Sequence, residues 1–355
     1  MAFALAALLF QLASKWRDQP AGTGADLYAV RALSADVCFV AGAKGTWGRT
    51  IDGGHTWYTH WAPGAGKLDF RCLAVRDAKN AFFINTGSPA RLYRTTNGLA
   101  ATMVYENETD GIAFFGLAFW DEKNGLMVAD PLGGGSFLVV TTNDGGVSWQ
   151  EATTSIPRPL PGERGLAAAG TALAVKGRAS AWFGTGGASS PRVFRTTDAG
   201  KTWSVASVPL SSSANGGIRS IAFQDESRGL ALAGDLAKPA DTAPDVARTT
   251  DGGRTWSVAG RTRPSGLKES ITLVPGTTGP SCIAAGPSGT SYSTDFGTTW
   301  RWLDHTAFNA VSFAGAQNAG WGVGDGGKIG KLQTGVVSGS GTTKKEETAK
   351  DIGGE

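Results

Sequence analysis

Thr50-Ile-Asp-Gly-Gly-His-Thr-Trp57, Thr142-Asn-Asp-Gly-Gly-Val-Ser-Trp149, Thr196-Thr-Asp-Ala-Gly-Lys-Thr-Trp203, Thr249-Thr-Asp-Gly-Gly-Arg-Thr-Trp256 and Ser293-Thr-Asp-Phe-Gly-Thr-Thr-Trp300 are five copies of one eight-residue pattern, Ser/Thr-x-Asp-x-Gly-x-Ser/Thr-Trp. A decayed sixth copy keeps only Thr95-Thr-Asn-Gly98. The six begin at residues 50, 95, 142, 196, 249 and 293, intervals of 44 to 54 residues. A repeat of that length is one four-stranded propeller blade.

Each fixed position has a structural duty in a hairpin turn. The carboxylates of Asp52, Asp144, Asp198, Asp251 and Asp295 are placed to accept backbone N–H groups of the turn. The glycine two residues on supplies the positive φ that such a turn requires. The hydroxyls before and after tie its ends. Trp57, Trp149, Trp203, Trp256 and Trp300 then open the returning strand and bury a large ring between neighbouring blades.

The pattern resembles the Asp-box, or BNR repeat, of sialidase-type propellers. From about residue 16 to 335 the chain also resembles the photosystem II stability/assembly factor type. The stretches that carry this are Arg49-Thr50, Arg94-Thr95, Arg195-Thr196 and Arg248-Thr249 before the boxes, with Gly125-Leu-Met-Val-Ala-Asp-Pro131, Trp182-Phe-Gly-Thr-Gly-Gly187 and Gly217-Ile-Arg-Ser-Ile-Ala-Phe223. The resemblance implies an all-β, seven-bladed propeller of four-stranded antiparallel blades and a role in assembly. It does not carry over sialidase chemistry. The Phe-Arg-Ile-Pro motif of that family is missing, and Phe70-Arg-Cys-Leu73 is the nearest stretch.

Composition agrees with many short strands and tight turns: 52 glycines and 12 tryptophans, with only 18% charged residues. A net charge of +3 without clustered Lys/Arg and aromatics argues against nucleic acid. Cys38, Cys72 and Cys282 are isolated in apolar strand patterns and read as core residues. Three dispersed histidines, His55, His60 and His305, give no metal-ligand spacing, so neither metal nor cofactor is expected.

Residues 1–12 form an apolar leader, too short to span a bilayer and read as a truncated signal peptide. Export to the periplasm or beyond follows from that reading. Residues 13–335 are assigned to the propeller and 336–355 to a disordered polar tail. Six units run in sequence, the first from Tyr28 and the fourth from Leu166. The seventh, from Asn309, has three strands and no box. An open ring would expose a strand edge. The segment around Trp16 is expected to supply the missing outer strand and close the ring.

The turns are uniform, whereas the loops on the opposite face vary in length and chemistry, as functional loops do. Arg71, Glu163, Arg164, Arg219 and Lys268 lie at or just before inner strands, and Asp130, Asp235 and Asp325 at the ends of second strands. Together they are expected to form a mixed-charge rim on an open channel. The three aspartates also read as turn caps. The function expected is a non-catalytic, monomeric scaffold for a protein or peptide. The alternative is a glycan-acting hydrolase, with Asp130 and either Asp235 or Glu163 as its carboxylate pair.

Overall fold

The computed structural model describes residues 15–166, 170–238, 245–277, 280–315 and 319–333. The leader at 1–12 and the tail at 336–355 lie outside the described residues, as does the 239–244 part of the loop after Asp235. Seven four-stranded antiparallel sheets follow one another around a ring, and no α-helix occurs among the described residues. In blade one the strands are Leu27–Ala32, Cys38–Gly42, Thr46–Thr50 and Tyr58–Trp61, ordered from the channel outward. The same order repeats through blade six.

The second strands form the core. Cys38–Gly42, Ala81–Asn85, Gly125–Ala129, Ser180–Gly184 and Cys282–Gly286 are buried at every residue, because a neighbouring blade covers each face. Their sequences are accordingly continuous apolar runs rather than alternating ones. All three cysteines lie there or on an inner strand, buried and unpaired. Outer strands such as Tyr58–Trp61 face solvent.

Each eight-residue repeat forms its hairpin between third and fourth strands. Thr50 Oγ1 donates to Asp52 Oδ1 (2.8 Å) and accepts from the Gly54 N–H (2.9 Å), while Asp52 Oδ1 accepts from the Thr56 N–H (2.9 Å). Gly54 has φ 86°, the left-handed region expected. The Thr56 N–H first, then the Thr50 and Thr56 hydroxyls, hold the Asp52 carboxyl down at about 2 against the opposing effect of desolvation. The decayed copy keeps the logic with Asn97 in place of the acid, accepting from the N–H groups of Leu99 and Ala100. Asp198→Ala removes bonds from the Thr202 N–H and Oγ1 (2.9 and 2.6 Å). We expect a loss of about 1–2 kcal/mol, as for a lost helix cap, read from urea unfolding.

The arginine before the repeat is an interblade clamp. Arg49 Nη1 donates to the Ala78 carbonyl of blade two, and Arg248 Nη1 to Thr298 Oγ1 of blade six (3.2 Å). Near the channel, hydroxyls staple adjacent inner strands: Ser312 Oγ accepts from the Ala32 N–H (3.1 Å) and Ser220 Oγ from the Ile271 N–H (2.9 Å).

The ring closes as expected. Lys15–Gln19 pairs antiparallel with Ile329–Gln333 and becomes the outer strand of blade seven. Trp16 packs edge-on against Phe308 (ring centroids 4.7 Å apart) and donates Nε1–H to Thr290 Oγ1 in blade six (3.2 Å).

Two expectations need correction. The inner strand of blade four is Leu173–Lys176, not a strand from Leu166. Upstream, Arg164 instead forms an isolated bridge with Gly186, and Leu166 is buried beside it. Trp256 is less buried than the other four box tryptophans, which are 7–9% exposed. Trp182 already fills that interblade slot. It stacks on Phe223 at 3.8 Å and gives its Nε1–H to the Gly252 carbonyl (2.7 Å), leaving Trp256 edge-on at the margin.

Candidate functional site

The starts of the inner strands and the ends of the second strands share the face opposite the repeated turns. Four inner strands carry a β-bulge near their start, between Leu27/Ala29, Phe70/Cys72, Phe114/Gly116 and Ile218/Ser220. The extra residues are Tyr28, Arg71, Phe115 and Arg219. A bulge re-aims its side chain out of the ladder's alternation. Phe115 turns into the core against Phe137 and Phe183. The other three meet at this face.

The Arg71 guanidinium lies 4.0 Å from the centre of the Tyr28 ring, a cation–π contact. The Arg219 side chain is only 6% exposed, and its one ion pair among the described residues is long, Nη2 to Glu269 Oε1 at 3.7 Å. Its Nε–H has no partner among the described residues. Burial pulls the Arg219 pKa down; Glu269 opposes this, and the neighbouring charge of Arg71, then that of Arg164, adds to the lowering. Three arginines therefore share one electrostatic neighbourhood. Arg164 is exposed and donates Nη2–H to the Ala214 carbonyl (2.9 Å). Asp235 belongs to the same group. Its Oδ2 accepts from Ser213 Oγ (2.7 Å) and its Oδ1 from the Ala237 N–H (2.8 Å), so it also caps its own turn. The Ser213 bond leads the effects that hold its pKa low.

Around Tyr28, beside Arg71, acidic groups gather. Burial raises the Tyr28 pKa first, and the charges of Asp69, Asp26 and Asp325 add to it against Arg71. Asp325 is exposed and accepts from Asn309 Nδ2 (2.8 Å). The face is a mixed-charge rim.

Four rim candidates are enclosed or do something else. Glu163 does not border a channel; its side chain is fully buried. Its Oε1 accepts from Thr185 Oγ1 (2.6 Å) and Arg192 Nε (2.8 Å), and its Oε2 from the Leu160 N–H (2.7 Å) and Arg192 Nη2. Every acceptor site is taken within the fold, and burial required that pairing. Lys268 is 1% exposed, bonded to the Ser265 carbonyl and 5.5 Å from the Trp302 ring. Burial pulls its pKa down to about 8. Arg219 does reach the rim but is mostly buried there, 5% exposed. Asp130 bridges blades, accepting the Gly165 N–H at 2.6 Å, and burial pushes its pKa up to about 7. It caps the next blade's connection rather than its own turn.

Tyr28, Glu269 and Arg192 were not singled out from sequence. Tyr28 shares the bulge position of Arg71 and Arg219, and that register was the available signal. Nothing local marks Arg192 as the partner of Glu163. No group of three or more His, Cys, Asp or Glu side chains among the described residues is arranged to hold a metal ion. No helix among them is long and apolar enough to cross a membrane.

No protein-family model matches the chain, and no curated protein matches it by sequence. Solved structures do match in fold. YCF48 from Cyanidioschyzon merolae is similar with a TM-score of 0.62 at 15% identity, over 90% of this chain and 98% of that one. A structure described as YCF48 bound to D1 peptide is similar at 0.59 and 14% identity, over 91% and 97%. The GH74 xyloglucanase from Xanthomonas campestris is similar at 0.62 and 15% identity, over 89% of this chain; the chain spans about half of that enzyme (53%). At such identities the likeness is one of fold.

Proposed function

We propose that this protein is a non-catalytic propeller scaffold that binds a protein or peptide on the face opposite its repeated turns. The observation that carries the reading is Arg219. A bulge aims it at the rim, and among the described residues its one ion pair is long and its Nε–H is unpartnered. Arg71 and Arg164 reinforce its field. Donors held this way fit a carboxylate of a partner chain, through charge-assisted and bidentate hydrogen bonds. The acidic groups of the rim then select a ligand segment with basic or polar groups beside that carboxylate. The fold-level likeness to a YCF48 structure bound to D1 peptide supports a peptide ligand. We further propose that the chain is exported and acts in the assembly or stabilisation of a membrane or periplasmic complex.

The test begins with capture of partners from a cell-envelope extract, followed by titration of the captured partner. Arg71→Ala and Arg164→Ala are on accessible positions and should each weaken binding about tenfold to a hundredfold, the range for hydrogen bonds to charged groups. Arg219→Glu should weaken it more, in protein shown to be folded. Unchanged affinity in an Arg71→Ala/Arg164→Ala double variant would misplace the binding face.

One observation favours the hydrolase alternative. Asp130, with its pKa near 7, lines a pocket of about 220 Å³ together with Glu151. A carboxyl whose pKa is raised this far suits a general acid. Release of sugar from xyloglucan, lost in Asp130→Asn, would replace the scaffold reading.

A further inference from the structure

The central channel holds a second site, on the face that carries the repeated turns. It encloses about 430 Å³, lined by the outer-facing halves of the seven inner strands. Register with the second strands identifies one equivalent position in every blade. It is Arg31 in blade one, opposite Phe39. In the other six blades it is Ala74, Ala118, Ala174, Ala222, Thr272 and Ser312. Six small side chains leave the space, and one arginine extends into it. The next position is apolar all round the ring, with Phe119, Phe223 and Phe313 the largest. Lys176, at the end of its strand, adds a second cation to the lining, and no carboxylate lines the cavity.

The Arg31 side chain makes no hydrogen bond or ion pair with the described residues. The only influence on its pKa is burial, which pulls it down. Arg49, Arg76, Arg192 and Arg248 each donate to a named acceptor, and Arg94 lies over the Phe82 ring. Arg31 is partly buried in the channel, and a guanidinium drawn partly out of water without a counter-charge attracts an anion. Here no pairing group occurs among the described residues, and most of the side chains that line the space are apolar, with Arg31, Lys176, Thr171, Thr272 and Ser312 among them.

We propose that the central channel binds a small organic anion, a carboxylate with an apolar body, whose charged end pairs with Arg31. The apolar body lies against the partly exposed Phe119 and Phe313, and Lys176 draws the anion in. A cavity of this size, combining apolar side chains with a few placed polar groups, suits a small ligand that has both. The site is independent of the arginine rim on the opposite face.

Isothermal titration calorimetry with octanoate tests this, using n-octanol, acetate and chloride as comparisons. Octanoate should bind one to one. Arg31→Met should weaken it about tenfold to a hundredfold, and Arg31→Lys should restore part of the loss. Octanol should bind at least about tenfold more weakly for want of the charge, and acetate and chloride likewise for want of the apolar body. Arg71→Ala/Arg164→Ala should bind octanoate like the wild type, which separates this site from the rim. Without ligand, Arg31→Met should melt at the same temperature or higher, because an unpaired, partly buried charge has been removed. No saturable octanoate binding up to millimolar concentration would overturn the proposal. So would more than one octanoate per chain, equal affinity in Arg31→Met, or equal affinity for acetate or chloride.

Discussion

Glu163→Gln is expected to destabilise the protein by about 3–5 kcal/mol, the range for breaking a buried ion pair by removing one partner. The substitution keeps the side chain's shape and discards its charge. Arg192, 11% exposed at its side chain, would then face a neutral amide. The amide nitrogen would also oppose either the Thr185 hydroxyl or the Leu160 N–H, both of which donate to Glu163. Arg192→Met should cost a similar amount, because it strands the carboxylate instead. The double variant Glu163→Met/Arg192→Met should lose far less than the sum, since no buried charge remains. Guanidinium unfolding followed by tryptophan fluorescence reads all four proteins. Additive losses would show that the two side chains do not act as a unit. Loss of any activity in a Glu163 variant would therefore report the fold before it reported catalysis.

Deleting residues 1–19 is expected to lower stability by about 5 kcal/mol or more. The deletion removes the outer strand of blade seven, five residues paired from Lys15↔Gln333 to Gln19↔Ile329. About 1 kcal/mol per lost hydrogen bond and about 2 kcal/mol for the Trp16 ring reach that figure. It corresponds to a fall in melting temperature of about 7 °C or more for a chain of this size. The exposed edge of Ile329–Gln333 should also promote association. Deleting residues 1–14 should leave the melting temperature unchanged, and Trp16→Ala should fall between. Equal melting temperatures for the two truncations would reject closure through this strand.

Much of the fold was legible because its determinants are local. The Thr50–Asp52–Gly54 network joins residues within a few positions of one another, so the pattern and the turn are the same information. A period near 48 residues then dictates blades, and a last unit lacking one strand requires a donor near Trp16. The fourth inner strand was misplaced because Leu166 is as apolar as Leu173, and both are buried. Nothing in the run between them says which one pairs with Phe183.

The site was legible only in outline. Topology put the charged loops on one face, and Arg71, Arg164, Arg219 and Asp235 do gather there. Which charges are free was a different question. Glu163 and Lys268 look like rim residues by position, yet both are enclosed. Arg192, 29 residues from Glu163, neutralises it through a contact between a blade-to-blade connection and a third strand.

The sequence by itself determined the architecture: repeated turns, blade length, seven units and the strand that closes them. These follow from hydrogen bonds and hydrophobic patterns spanning a few residues. Only the tertiary structure decided which ionisable groups are compensated. A bulge of one residue aims Tyr28, Arg71 and Arg219 together, and a ring of six small side chains isolates Arg31 in the channel. Both depend on register between strands and on which blades are neighbours. The free energy of a charge is set by the groups within a few ångströms of it, and in a closed ring those groups come from distant parts of the chain.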